Sequence, residues 1–310
     1  MEFIRGIHNV KLRHRNCVFT VGNFDGFHLG HQYLISKLHC IRIKQKIPIV
    51  VMIFEPQPKE YLLGKLAPAR ISSLRDKVNY LFSYGVDAIL CIPFNKYFSS
   101  ISAKEFISEI LVKKLGINSI GVGKDFQFGK NREGNISILK KKSKEIGFNV
   151  IDISEYFFNK KKVSSTIIRN YLYQDRISLA EKLLGHKYCI SGRIVHGRYL
   201  GKILGFPTAN IYLKNYNFPI HGVYAVQAYG IEKNPIFGIA NIGLNPTVSK
   251  TKGKKKMEVH FLNINKNLYG YYASIVIKNK IRNEKKFSSL KELKEQISND
   301  LIHVKKYFNI

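Results

Sequence analysis

No stretch of this 310-residue chain is apolar for long enough to cross a bilayer as a helix. The longest apolar runs, such as 47–54, have the length of a strand, against the roughly 18–20 residues that a span needs. Tryptophan is absent, and cysteine is limited to Cys17, Cys40, Cys91 and Cys189. Four thiols with no pair at metal-ligand spacing make no disulfide framework. They are expected to be buried or incidental in a reducing cytosol, with a catalytic cysteine as the alternative. Residues 1–5 lack the basic, apolar and small-residue order of a signal peptide. The expectation is a soluble, unexported, cytoplasmic protein without a membrane partner.

Acidic residues are scarce too: 21 Asp and Glu face 51 Lys and Arg, for a net charge of +30. The excess is lysine, 39 against 12 arginines. A sequence-specific reader of nucleic acid favours arginine, whose fork matches bases and phosphates. The lysine here travels with Ile, Asn, Phe and Tyr, which fits a compositional bias spread over a solvated surface. No specific nucleic-acid partner is expected. Weak, salt-sensitive binding to any polyanion follows from the charge alone.

What is present divides in two. A single core stops growing near about 250–300 residues, so 310 residues predict two domains. In the first half, strand-like runs at 17–21, 48–54, 88–92 and 119–123 alternate with helical ones at 32–43, 74–82 and 106–115. That order implies a parallel sheet covered on both faces by helices, a Rossmann-like α/β domain over residues 1–185. From residue 186 the pattern changes to six short strands, at 188–195, 209–213, 223–229, 236–241, 258–262 and 274–281. Short strands at such spacing, with Gly, Pro and Asn between them, predict a six-stranded antiparallel β-barrel over residues 186–310. Ser289 and Glu292 then form a capping box that opens a C-terminal helix. Leu290, Leu293, Ile297, Leu301 and Val304 make its apolar stripe, expected to pack on the barrel.

The first chemical motif is residues 22–31, GNFDGFHLGH, between a strand and a helix, where α/β sheets bind ligands. His28 and His31 are three apart and share a helix face. Gly22, Gly26 and Gly30 let the backbone approach a ligand, with Phe24 and Asp25 between them. The helix start adds partial positive charge. Together these make a cradle for a phosphate chain, with imidazole donors for charge that builds on phosphorus. Ser164, Ser165 and Thr166 form a second element. Their hydroxyls at a helix start can meet phosphate oxygens, and Arg169 lies one turn on. Between the two lies GVGKDFQFGK at residues 121–130, whose Phe126 and Phe128 could stack on a flat ring.

The second half opens with Gly192, Gly197, Gly201 and Gly205, a density that permits loops around phosphate. Pro207, Thr208 and Asn210 follow. Thr208 and Asn210 are two apart and point the same way on a strand. Two neutral oxygen ligands so placed suit a Mg²⁺ that binds with ATP. Glu258 shares a strand face with His260 and Leu262. It is expected on the inward face of the barrel, where a carboxylate needs a partner or a task. The task assigned is to accept a proton from a hydroxyl that attacks the γ-phosphate.

These residues carry two resemblances. The HxGH element at 28–31 resembles the signature of nucleotidylyltransferases, which attack the α-phosphate of a nucleoside triphosphate and release pyrophosphate. There the histidines act by electrostatics. Residues 164–169 look like the second phosphate signature of that superfamily. Residues 121–130 resemble the GxDFxFG segment of FAD synthetases, and with Phe54, Glu55 and Pro56 they single out the flavin branch. In the second half, GRIVHGRYLGKILGFPTANI, GVYAV, NIGxxPTV, EVHFLN, LYG and the stretch through Ile281, Arg282 and Phe287 look like riboflavin kinase. Together these cover nearly the whole chain in the order of the bifunctional riboflavin kinase/FAD synthetase family. The resemblance implies Mg·ATP at Thr208 and Asn210 and Glu258 as base for the ribityl hydroxyl. It implies flavin near Asp125, Phe126, Phe128 and Arg282, with ATP, riboflavin, FMN and FAD as ligands. Asn245, Asn263 and Tyr271 depart from the family pattern, where Arg, Asp and Lys are common. The rivals are an adenylyl- or cytidylyltransferase for another small molecule, which leaves the second half without a task, and a basic nucleic-acid-binding protein.

Overall fold

The computed structural model describes residues 1–197, 201, 204–214, 216–244, 255–264 and 266–310. Its contacts divide into two compact units, residues 1–68 with 74–164, and residues 69–73 with 165–310. The boundary expected at 185/186 falls just before the first barrel strand, Cys189–Val195.

The first unit is built on strands β1 (Glu2–Arg5), β2 (Val18–Val21), β3 (Ile49–Phe54), β4 (Ala88–Ile92) and β5 (Ser119–Gly123). A small hairpin of β6 (Gln127–Phe128) and β7 (Gly134–Asn135) comes next, and then β8 (Asn149–Ile153). The sheet order is β1-β4-β3-β2-β5-β8, and every pairing is parallel. A parallel sheet needs apolar side chains on both faces, and β3 meets that demand with all six residues buried. On one face Val18, Val51, Ile53 and Ile89 pack with Ile35 and Leu38 of α1 (Leu29–Gln45). The short α2 (Pro58–Leu63) is followed by α3 (Leu74–Ser83), which adds Leu81 to that layer. Phe19, Val50, Met52, Leu90 and Ile120 fill the other face. There the chain runs through α4 (Lys96–Ser100) and α5 (Ala103–Glu105) into a π-helix, Phe106–Lys114. Its wide turn shows in the bond from Leu115 N to Ile110 O, 3.0 Å. α6 (Ile136–Ile146) completes that layer. A last pair, β9 (Phe157–Phe158) and β10 (Lys161–Lys162), follows β8. The chain leaves β2 toward β3 on one side and later sets β5 on its other side, so the order reverses at β2. Sheets of this kind bind ligands at such a reversal.

The second unit begins with α7 (Ser165–Tyr173) and α8 (Ile177–Leu184). The barrel closes in the order β11-β12-β15-β14-β13-β16. Its strands are β11 (Cys189–Val195), β12 (Ala209–Tyr212), β13 (Gly222–Tyr229), β14 (Ile236–Leu244), β15 (Lys255–Phe261) and β16 (Tyr272–Arg282). All pairings are antiparallel, so the expected six strands are found in their expected places. The interior is apolar, with Ile190, Val226, Met257, Val259, Ile275 and Ile277 fully buried. The C-terminal helix Leu290–Phe308 lies outside. Its Val304 and Leu301 pack on Val223, Ala225, Ile239 and Leu262. Leu290, expected in the stripe, is exposed. Ser289 caps the helix by accepting from Glu292 N at 3.1 Å. The returning arm from Glu292 reaches Ser288 rather than the cap residue itself.

The turn after α7 is hooked to the barrel. Asp175 accepts from the Tyr224 hydroxyl at 2.6 Å and from Lys280 Nζ at 2.6 Å. Tyr224 is fully buried on β13. Burial first, and the Asp175 carboxylate second, push its hydroxyl well above the ordinary phenol range. Residues 69–73 also join this unit: the Arg70 guanidinium lies 4.0 Å from the Tyr216 ring centroid, and Arg70 N donates to Asn217 O at 2.7 Å.

Candidate active sites

The first site forms where β2 ends. Phe24 and Phe27 take left-handed backbone angles, φ 46° and 38°, which side chains rarely adopt. Their burial at 2% and 0% exposure holds them there. The tight turn makes His28 the N-cap of α1, its carbonyl accepting from His31 N (2.8 Å) and Gln32 N (3.0 Å). The His28 ring folds back over Gly30, where a Cβ would stand 3.2 Å from it. It stacks on His31 with ring centroids 3.7 Å apart and planes 18° apart. The Phe24 ring covers His31 at 4.9 Å and is buried, so Phe24 offers its backbone and not its face. Desolvation, with the nearby His28 and Lys77 charges adding to it, holds His31 well below the ordinary imidazole range. At neutral pH its ring is therefore a neutral donor at a helix start. Asp25 is buried beside the pair.

The other expected residues of this half are less uniform. Asp125 is exposed and paired with Lys162 at 2.8 Å, which lowers its carboxyl below the usual range. Phe126 is half-buried, and its ring lies against Phe128 at 5.3 Å. Phe128 is a core residue at 7% exposure, packed on Phe106, so the stacking face expected of it is already taken. Thr166 is exposed on α7, and Arg169 donates to Ser165 O at 3.2 Å. The helix of this second phosphate element belongs to the second compact unit, whereas Ser164 ends the first.

The barrel site stands on the outer surface. Met257, Val259 and Phe261 are buried, and Glu258 and His260 alternate with them half-exposed. In the register Asn210, Glu258, Asn241 and Val223 lie abreast across β12, β15, β14 and β13. Val223 packs under the C-terminal helix, so this face is the outer one. The inward position expected for Glu258 is thereby corrected. The shared face with His260 and Leu262 holds. A carboxylate outside needs less compensation than one inside, and here Lys256 forms an ion pair with it.

The barrel glycines now have separate reasons. A Cβ on Gly197 would collide with the Asn210 amide, and one on Gly201 with Phe206 O and Thr208 Oγ1. At these two positions the backbone passes directly against Asn210 and Thr208, which leaves no room for a side chain. Phe206 N donates to Gly201 O at 2.7 Å. Gly205 adopts φ 87° with open space beside it. Gly192, expected in a phosphate loop, lies instead inside β11 against Ile211 and Tyr212 O, so close strand packing is what requires it. His260 Nδ1 donates to Pro207 O at 2.8 Å and pins the segment before Thr208. The His196 and Tyr269 rings stack at 3.6 Å, bringing the VHG and LYG stretches together. Thr208 precedes β12 rather than lying in it.

Asn210 is 6% exposed, and its Oδ1 has no hydrogen-bond partner among the described residues. A buried amide oxygen left so is costly. It fits a hard cation that takes oxygen ligands, as Mg²⁺ does. Among the described residues no cluster of three or more His, Cys, Asp or Glu could hold a metal instead. Arg282, expected near flavin, gives its guanidinium to the buried Asp300 at 2.8–3.0 Å. Asn263 and Tyr271 are exposed, and Asn245 lies outside the described residues. Cys17 is sealed in the core, its thiol pushed up to about 12 by burial, so it is no nucleophile. Asn241 stands abreast of Glu258 on β14 and was not among the expected residues. It is legible only from the strand register, since neighbours across a sheet are remote in sequence.

Fold and sites together define a transferase with two separate phosphate-handling centres, one at the switch point of a doubly wound sheet and one on a closed barrel. Residues 10–167 match the FAD synthetase family, and residues 184–308 match the riboflavin kinase family. The bifunctional riboflavin kinase/FMN adenylyltransferase of Buchnera aphidicola subsp. Acyrthosiphon pisum is 48% identical over 310 residues, covering 100% of this chain and 99% of its own. The Escherichia coli K12 protein of the same name is 44% identical over 311 residues, with 100% and 99% covered. The chain belongs to the bifunctional riboflavin kinase/FMN adenylyltransferase family. A solved structure of a macrolide-efflux protein from Streptococcus pneumoniae shares the fold, with a TM-score of 0.79, 28% identity and 98% of each chain covered. Among the described residues here, no helix is long and apolar enough to cross a membrane.

Proposed function

We propose that residues 186–310 phosphorylate riboflavin and residues 1–185 adenylylate the resulting FMN. The observation that carries the reading is the juxtaposition of Asn210 and Glu258, directly opposite each other on paired strands. It sets a buried oxygen with no partner among the described residues beside a carboxylate on an accessible face. In the kinase step Glu258 accepts the proton of the ribityl 5′-hydroxyl as that oxygen bonds to the γ-phosphorus of ATP. The bond from that phosphorus to the β-bridging oxygen breaks, and ADP leaves. Thr208 and Asn210 would hold Mg²⁺, which supplies positive charge to the phosphates when bound. Gly197, Gly201, Gly205 and Pro207 shape the loop that closes over the nucleotide. The Arg282–Asp300 pair fixes the end of β16 against the C-terminal helix, which orients the flavin side of the barrel.

In the adenylylation step a phosphate oxygen of FMN attacks the α-phosphorus of a second ATP, and pyrophosphate leaves. His28 and His31 donate hydrogen bonds to oxygens that gain charge, and the backbone of residues 22–30 with the α1 terminus cradles the chain. Ser164, Ser165, Thr166 and Arg169 keep the phosphate-binding role that their resemblance implies. Phe126 offers its ring to the flavin, with Phe128 behind it as support and Asp125 beside it. The work belongs in the cytoplasm and needs neither nucleic acid nor membrane.

A chromatographic assay tests this directly: purified chain with riboflavin, ATP and Mg²⁺, FMN and FAD followed in time. FMN first and FAD next is the expected result. FMN alone would return the first unit to the wider nucleotidylyltransferases, and no flavin product from folded protein would sink both assignments.

A further inference from the structure

Helix α3 carries a lysine with no exposed surface, Lys77 at 0%. A buried ammonium is costly unless its charge is used or met. Its place on the helix indicates the use. Lys77, Tyr80 and Tyr84 recur at i, i+3 and i+7 and so share one face. The Tyr80 ring is parallel to Phe27 within 6°, centroids 6.3 Å apart. Tyr84 meets Phe27 edge-on at 4.8 Å and donates its hydroxyl to Gln32 Oε1 at 2.9 Å. Phe27 stacks in turn on His31 at 6.4 Å. This face of α3 is therefore applied to the 22–31 loop and the first turn of α1, and Lys77 lies on it. The Lys77 charge reaches His31 and joins burial and His28 in holding that imidazole down. Asp25 and Asp76 are the buried acids of the same region.

We propose that Lys77 is a positioning residue of the adenylylation site: its cation lies behind the His28–His31 pair, attracts the triphosphate, and sets the field in which the His31 ring donates a hydrogen bond. This rests on the first unit being the adenylylation site. The division of labour has a physical logic. Two stacked imidazoles cannot both carry charge cheaply, whereas one lysine behind them supplies charge while the donating ring keeps its single N–H.

The test uses the full chain and the variants Lys77→Met and Lys77→Arg. Histidine ring signals are followed by NMR against pH, and both flavin reactions are assayed on the same samples. Lys77→Met is expected to move the His31 titration up toward the ordinary value. It should also lower FMN adenylylation by roughly ten-fold or more and give that rate a new loss on the acid side. Lys77→Arg is expected to restore both the titration and the flat profile. Riboflavin phosphorylation stays unchanged in each, which reports the barrel, and dispersed histidine signals report the fold of the first unit. An unmoved His31 titration and an unmoved pH profile in Lys77→Met would overturn the proposal, as would equal damage from Arg and Met. Should Lys77→Met fail to fold, wild-type protein labelled at lysine Cε decides. The Lys77 signal must shift on adding Mg²⁺ and inorganic pyrophosphate, and a signal that stays put overturns the idea. Wild-type chain that makes FMN but no FAD would defeat the assignment of the site, while the His31 titration would still report on Lys77.

Discussion

The two proposed sites would meet the same problem, holding a nucleoside triphosphate, in opposite surroundings. The first is set into the core. Its histidines stack at 3.7 Å under buried phenylalanines, and its backbone bends through left-handed angles held by packing. The second is laid on the outside of a barrel, on strand positions that alternate with the core, with the backbone of Gly197 and Gly201 packed against it. The difference teaches where each reaction keeps its charge. A step helped by hydrogen-bond donors gains from a low-dielectric pocket. A step that needs an ionised carboxylate as base is better served where water still reaches it.

The largest test of that contrast is Glu258→Ala, expected to cut riboflavin phosphorylation by about 10²–10⁴-fold while FMN-to-FAD conversion stays at the wild-type rate. His28→Ala should do the reverse, slowing adenylylation by roughly 10²–10³-fold with phosphorylation intact. A folded variant that lost both reactions would end the two-site description. Next comes Gly197→Ala, whose added methyl must displace the Asn210 amide. A rise in the apparent KM for ATP of the kinase step alone, by roughly ten-fold, is the expected reading, and an unchanged KM would mean that Asn210 has no part in nucleotide binding. Asp175→Ala sharpens the structural side. It leaves the Tyr224 hydroxyl and Lys280 without their shared acid and should cost about 1–3 kcal/mol in urea unfolding.

The smallest expected effect is on pH. His31 sits well below its unfolded value of about 6.5. Below that value the unfolded chain takes up a proton that the folded chain does not. Stability is therefore full above it and declines as pH falls toward the folded value. His31→Phe should flatten this decline in thermal melts between about pH 7 and 5, and an unaltered slope would place the titration elsewhere.

Much of this was legible in the chain because it is local. The 22–31 motif is ten consecutive residues, and a strand-to-helix turn brings them together without help from the rest of the fold. The sheet and the barrel were legible from runs of period two and from the Gly, Pro and Asn between them. Glu258 shows where such reading stops. Period two fixed its neighbours His260 and Leu262, yet it does not say which face is the core. The alternating Met257, Val259 and Phe261 carried that signal and outweighed the argument from chemistry. Gly192 and Gly197 look alike in sequence, and only the strand packed against one and the amide packed against the other separate their roles. Lys77 was illegible for the plainest reason, since a lysine on an amphipathic helix reads as a solvated one.

The Asp175 hook has a consequence for how the two activities could ever be parted. Residues 165–173 carry hydroxyls and an arginine proposed for adenylylation, yet the turn that ends their helix is bonded to β13 and β16 of the barrel. A genetic cut at the point where one activity gives way to the other would strip a buried tyrosine and a lysine of their partner on the kinase side. Either product of such a fission would need compensating changes before it could stand alone.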